Sequence, residues 1–270
     1  MFIDISTYVG HWPFRNVIHN TLDGLDRIAQ ANGITHMVVA NIEGFFYKDA
    51  NRANLTFLEE IKAYTGKTVF LPLAVVDPTY PEWERDARAM IEAGFKGFEI
   101  SPRYHFYPFT ATFPYDSYTP VNYGGLVLDL AAELDVPVRI CTSVENYRAR
   151  SRHDHYNNPT ADELAALLSA NKDAHVMITS FHGASVGGAL GEVVKNRPNT
   201  YFDITALAAG AVNTLGCVGA MQHLDESQIC YGSLAPIQYI EPTLIALEYD
   251  DALPAEKAKV NAARAFKDLR

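Results

Sequence analysis

Residues 69–100 read VFLPLAVVDPTYPEWERDARAMIEAGFKGFEI, and the hydrophobic period changes twice within them. Val69 to Val75 is an apolar run of strand length. From Glu82 to Ala93 the apolar side chains Trp83, Ala87, Met90 and Ile91 fall three and four apart, as on one face of a helix. Gly97 to Ile100 is again a short run bounded by a glycine. A strand, a helix and a strand in this order form a right-handed crossover unit with parallel strands.

The same alternation extends in both directions. Strand-like runs occupy Phe2 to Ser6, His36 to Ala40, Val138 to Thr142, Val176 to Ser180, Tyr201 to Thr205 and Ile229 to Gly232, giving eight with the two above. Segments such as TLDGLDRIAQA, NRANLTFLEEIKA, YGGLVLDLAAEL and ADELAALLSA carry helical spacing between them. An open doubly wound sheet stops at about five or six strands and often shows a glycine-rich phosphate loop, and no G-x-G-x-x-G opens a helix here. The expected fold is α/β, a single (β/α)8 barrel over residues 1–270, with Ala255 to Leu269 as a terminal helix covering its outside.

The composition bounds the function classes. Of the 270 residues 48% are hydrophobic and 20% charged, ordinary globular usage with ample core material. The formal net charge of −10, without a Lys/Arg cluster, argues against nucleic acid and against an anionic membrane surface as partners. No apolar run reaches spanning length, and the N-terminal sequence MFIDISTYVGHWPF has neither the basic nor the apolar region of a secretory signal. Cys141, Cys217 and Cys230 are few, odd in number and far apart, which suits reduced thiols and a cytoplasmic location.

In a barrel the active site lies at the C-terminal ends of the strands. The segments there are YVGHWPFR, NIEGFFYKDA, SPRYHFYPFTATFPYDSY and SVENYRARSRHDHYNNP, all rich in aromatic, Arg and His residues. Each aromatic alone reads as loop packing; together they read as the walls of a pocket.

FIDISTYVG, GFKGFEISPRYHFY, VPVRICTSVEN, NTYFDIT and ICYGSLAPIQY occur in the order of the strand-end motifs of the amidohydrolase superfamily, in its amidohydrolase-related branch of hydrolases and decarboxylases, which the chain resembles over its whole length. That resemblance implies a barrel with one or two divalent metals, held by His-x-His after strand one, a His on each of strands five and six, and an Asp in a Gly-Ser-Asp after strand eight. Here the matching positions are Ser6 and Tyr8, Cys141, one of Ser180, Phe181 or His182, and Leu234. A catalytic zinc needs three protein ligands. The expectation is therefore no cofactor, with a divalent metal such as zinc as the alternative.

What remains is acid–base chemistry. If Cys141 points inward, Arg139 does too, and an interior guanidinium needs a carboxylate, Glu99 first and Asp4 second. Alternation likewise pairs Glu99 with Ser101 and Asp4 with Ser6. His182, His105, Cys141 and His11 are the candidate catalytic residues; Arg139, Arg103, Tyr8, Trp12, Tyr104, Glu99 and Ser6 are the candidate substrate-binding residues. Arg139 could equally be a structural ion pair, each His a packed loop residue, and Cys141 a small filler of a vacated ligand site. His153, Asp154 and His155 have metal-like types but read as a solvated turn. The expected activity is metal-independent hydrolysis of a lactone, ester or amide in a small anionic substrate. Non-oxidative decarboxylation, or ligand or partner binding without catalysis, are the alternatives. A homodimer is compatible, with GFFYKDA as an interface or a lid.

Overall fold

The computed structural model describes residues 1–107, 121–144, 159–181, 188–205, 224–249, 251 and 253–270. Eight parallel strands follow one another in the sheet in chain order: β1 (Ile3–Val9), β2 (His36–Asn41), β3 (Val69–Val75), β4 (Gly97–Ile100), β5 (Val138–Cys141), β6 (Val176–Thr179), β7 (Thr200–Asp203) and β8 (Ile229–Cys230). Hydrogen bonds from Ile5 to Tyr231 and from Tyr8 to Ala235 bring β1 against the segment of β8, so the sheet closes as the expected barrel. Helices α1 (Leu22–Ala31), α2 (Asn51–Ala63), α3 (Trp83–Glu92), α4 (Tyr123–Leu134), α5 (Ala161–Ala170) and α6 (Gly188–Lys195) alternate with the strands. A further helix, α7 (Glu241–Tyr249), follows β8.

Side-chain alternation divides the apolar residues into two clusters. Val39, Ala74, Phe98, Ile140, Ile178 and Phe202 pack outward with helix residues such as Leu25, Met90 and Leu128. Val38, Leu73, Cys141, Met177, Tyr201 and Cys230 fill the interior. Strict alternation fails on β1, where the register with β2 shifts between Asp4 and Thr7. Ile3 and Ile5 alternate regularly into the interior cluster, leaving Asp4 and Ser6 on one face together, whereas the shift brings Tyr8 into the interior cluster beside Ile3 and Ile5 and out of step with Ser6.

The expected terminal helix is also corrected. Only α8 (Ala255–Ala258) is α-helical, followed by 3-10 turns over Asn261–Ala265 and Lys267–Leu269. The lower ends of the strands claim its backbone and polar groups instead. Lys259 O accepts the Ile3 N–H, and the Asn261 amide donates to the carbonyls of Glu226 and Ile229 at 2.7 Å each. Buried Ala262, Ala265 and Phe266 join the interior cluster from below.

The barrel centre is polar. Arg139 and Glu99 are paired neighbours on β5 and β4, both fully buried, and they form an ion pair. The guanidinium also donates to Ile5 O and Val38 O at 2.9 Å each and to Thr7 O at 3.3 Å. Four strands are thereby tied to one side chain. Removing one partner of a buried pair strands the other charge, at about 3–5 kcal/mol, whereas replacing both with well-packed apolar groups can be neutral. Arg139→Met is expected to lose stability on that scale in urea unfolding, and adding Glu99→Leu to recover most of it. Recovery of none would show that the backbone contacts of Arg139, and not its charge pairing, dominate.

Candidate active site

Above the ion pair, the Tyr8 hydroxyl donates to Glu99 Oε1 at 3.1 Å, and the Arg139 guanidinium lies 4.6 Å from the Tyr8 ring centroid. Arg139 thus spends four of its five N–H groups inside the protein, the structural arrangement of the two that the sequence allowed. Burial pushes the Glu99 carboxyl above its ordinary range, opposed by Arg139 and Tyr8. The guanidinium stays charged. Burial likewise lifts the Cys141 thiol well above its usual value, with the Glu99 charge adding to the rise. Burial of this kind opposes the thiolate form that a nucleophilic role for Cys141 would need.

Toward the rim an aromatic wall forms. Tyr104 stacks on Phe45 with centroids 5.6 Å apart, and Trp12 meets Phe14, Phe46 and Tyr104 edge-on at 5.0, 5.6 and 6.3 Å. The GFFYKDA segment is part of this wall through Phe45 and Phe46, in a 3-10 turn over Ile42–Phe45. Gly44 permits that turn, because a Cβ there would come within 2.8 Å of Val75. The Gly44 carbonyl sits 3.0 Å from His105 Nε2. A carbonyl only accepts, so Nε2 carries the proton and Nδ1 presents its lone pair.

His105 is buried, and burial holds its pKa below the ordinary imidazole value against the opposing pull of Asp77. Among the described residues its Nδ1 has no partner, nor do Trp12 Nε1, Ser101 Oγ and Tyr107 Oη. Arg103 pairs with Glu163 Oε2 at 2.8 Å at the start of α5. His11 is exposed, held by its backbone N–H on Glu43 Oε1 at 3.0 Å. His182, Cys217 and the His153–His155 cluster lie outside the described residues. For strand six, β6 ends at Thr179, its interior positions are Met177 and Thr179, and Ser180 follows at φ 56°.

The opposite corner holds two carboxylates. Asp203, at the end of β7, accepts the Ser180 N–H at 2.9 Å and the Thr205 hydroxyl at 2.5 Å. Asp4 accepts the N–H groups of Ser6 and Ser233 at 3.0 and 3.1 Å and the Ser233 hydroxyl at 2.5 Å. Gly232 makes the corner possible, since a Cβ there would lie 2.6 Å from Asp203 Oδ2 and 3.0 Å from Ser6 Cβ. Leu234 is fully buried at φ 61°, offering only hydrocarbon at the end of β8. Asp203 and Ser233 were missed in the sequence; the signal was an acid closing the strand run TYFD and a Ser opening the turn after β8.

A polar, aromatic mouth at the C-terminal ends of a closed (β/α)8 barrel defines an enzyme-like site of the kind that such barrels carry. The amidohydrolase family profile matches residues 19–233, and the chain belongs to that family. Three solved structures are similar at 15% identity each. Dihydroxybenzoic acid decarboxylase from Polaromonas sp. JS666, with bound manganese and the inhibitor 2-nitroresorcinol, has a TM-score of 0.67 over 100% of this chain and 97% of that one. The 2,6-dihydroxybenzoate decarboxylase from Rhizobium has a TM-score of 0.66 over 98% of each chain. A probable 2-pyrone-4,6-dicarboxylic acid hydrolase from Acinetobacter baumannii with citric acid bound has a TM-score of 0.57 over 99% and 97%. None of the curated proteins matches the sequence. No helix among the described residues is long and apolar enough to cross a membrane.

The two acids set a pH dependence of stability. Burial raises Asp203 to about 6 and Asp4 to about 7, from an ordinary value of 3.8. Between those limits the folded protein binds more protons than the unfolded chain, so stability falls as pH rises through about 6 to 7. The urea midpoint is expected to be higher at about pH 5.5 than at pH 8, and Asp203→Asn to flatten that dependence. An unchanged slope in the variant would place the protons on other groups.

Proposed function

We propose that the chain hydrolyses a lactone, ester or amide bond in a small anionic molecule at the barrel mouth, using side-chain acid–base chemistry without the family's divalent ion. The observation that carries this is the His105 tautomer, with Nε2–H fixed on Gly44 O and a lone pair on an unpartnered, neutral Nδ1. Such an imidazole can take a proton from water as the water oxygen adds to a carbonyl carbon, then return it to the leaving oxygen or nitrogen. The buried Trp12 N–H and Tyr107 O–H have no acceptor among the described residues and suit a developing oxyanion. Arg103, with Trp12 and Tyr104, would hold the substrate's anionic and planar parts; His182 and His11 are the other histidines that could share proton transfer.

The donor chemistry supports the metal-free part. At the positions the family uses for metal stand the Ser6 hydroxyl, the Tyr8 phenol engaged by Glu99, the protonated Cys141 thiol and the Leu234 hydrocarbon. Among the described residues no three His, Cys, Asp or Glu side chains gather to hold an ion. These residues do not fit a divalent metal. A second reading, decarboxylation of an aromatic acid, is favoured by the flat wall of stacked Tyr104 and Phe45.

A panel of lactones, esters, amides and hydroxylated aromatic acids, assayed for product and for carbon dioxide, separates these readings. With an identified substrate, His105→Gln is expected to lower kcat about a hundredfold or more. The wild-type rate should fall only below the ordinary histidine pKa, because burial depresses it. Retention of kcat within about threefold would move the proton transfer to His182 or His11. Protein purified without chelators should contain no stoichiometric zinc, manganese or iron by elemental analysis; finding one would overturn the metal-free reading. Binding without turnover across the panel would favour a non-catalytic ligand-binding protein.

A further inference from the structure

At the ends of β6 and β7 the barrel interior carries an acid without a cation. Thr179 pairs in register with Cys141 and Asp203 with Cys230, and both cysteines belong to the interior cluster, so Thr179 and Asp203 lie on the interior side. Ile178 pairs with Phe202, which sets the next residues, Thr179 and Asp203, side by side on adjacent strands. Asp203 accepts a backbone N–H from Ser180 and a hydroxyl from Thr205, both neutral donors. Among the described residues no Lys or Arg pairs with it, and the one guanidinium on β5, that of Arg139, is matched by Glu99. Buried charges are normally paired.

Around this carboxylate three hydroxyls are left open. Ser6, Thr179 and Ser180 are each fully buried, and none of their side-chain oxygens has a partner among the described residues. Ser180 is the residue whose N–H Asp203 holds, and Thr179 precedes it. Ser6 comes alongside at Gly232, where a Cβ would meet Asp203 Oδ2 at 2.6 Å and Ser6 Cβ at 3.0 Å. A hydroxyl oxygen accepts as well as donates, so the corner offers one anionic and three neutral acceptors. The Asp4 carboxyl feels the Asp203 charge as repulsion, which a positive guest would relieve and a second anion would worsen. An ammonium group brings three N–H donors, one positive charge and no acceptor. We infer that this corner is the subsite for a protonated amine of the substrate, held by the Asp203 carboxylate and the Ser6, Thr179 and Ser180 hydroxyls. The inference rests on the barrel-mouth site proposed above and narrows its substrate class to a zwitterionic lactone, ester or amide, with its anionic part toward Arg103.

Isothermal titration of the full chain at about pH 8 tests it, with benzylamine, protonated there as alkyl amines are, and benzyl alcohol as its neutral counterpart. Benzylamine is expected to bind at least about tenfold tighter. Asp203→Asn, checked for folding by far-UV circular dichroism, should bring the two ligands within about twofold, because the amide keeps an acceptor for the Ser180 N–H but carries no charge. Thr179→Val removes one hydroxyl at nearly constant shape. It should weaken benzylamine by at least about threefold and leave benzyl alcohol unchanged, and it decides the matter if the Asn variant does not fold. Equal affinities in the wild type, or no binding of benzylamine, would overturn the inference. So would a preference that survives Asp203→Asn, or an amine affinity indifferent to Thr179→Val. The titration reads binding and not turnover, so failure of the hydrolysis panel would leave the amine preference standing, and loss of that preference would leave the hydrolysis standing.

Discussion

The barrel is organised around one buried cation. Arg139 cannot be left unpaired in an apolar interior, and the protein answers with Glu99 on the adjacent strand, the Tyr8 ring face, and carbonyls of β1 and β2. The β1 carbonyls, of Ile5 and Thr7, lie where β1 shifts register against β2 between Asp4 and Thr7. Tyr8 and Cys141 then take their places by packing on the pair, and Tyr8 is drawn to Glu99 by its hydroxyl. The centre of the barrel is in this way occupied by a self-satisfied set of groups, and chemistry is displaced upward to the rim.

At the rim two kinds of polar group coexist. The Asp4 and Asp203 carboxylates each accept several hydrogen bonds and stitch β1 to the ends of β6, β7 and β8, with Gly232 leaving room for the close approach, while the Ser6 and Ser180 hydroxyls there have no partner among the described residues. Their role follows from their hydrogen bonds: they fix Ser180 and Leu234 in left-handed conformations next to the mouth. The His105 side of the rim carries no carboxylate, among the described residues, to collect its donors. Trp12, Ser101, His105 and Tyr107 are buried, yet each keeps a polar atom without a partner among the described residues, and such atoms are costly unless something else satisfies them. The same aromatic wall that buries them excludes water and lowers the histidine pKa, so the desolvation that makes the groups costly also keeps the imidazole a free base.

The fold was legible in the sequence, because eight strand-length apolar runs separated by helical spacing bury their apolar faces as parallel strands under helices. The sequence also determined the Arg139–Glu99 pairing, since alternation put both side chains inside and an interior guanidinium admits few partners. Family membership followed from the order of the strand-end motifs. What alternation could not supply was the shift in β1, which changed which of Asp4, Ser6 and Tyr8 enter the interior, and the breaking of the terminal helix by hydrogen bonds to the lower strand ends. The environment that raises the Cys141 thiol was not legible in the sequence, because burial is a property of neighbours and not of the residue. The tertiary contacts likewise bring Asp203 at the end of β7 to the Ser180 N–H just beyond β6, and set the proton of His105 against a backbone carbonyl from the loop after β2, 61 residues away in sequence.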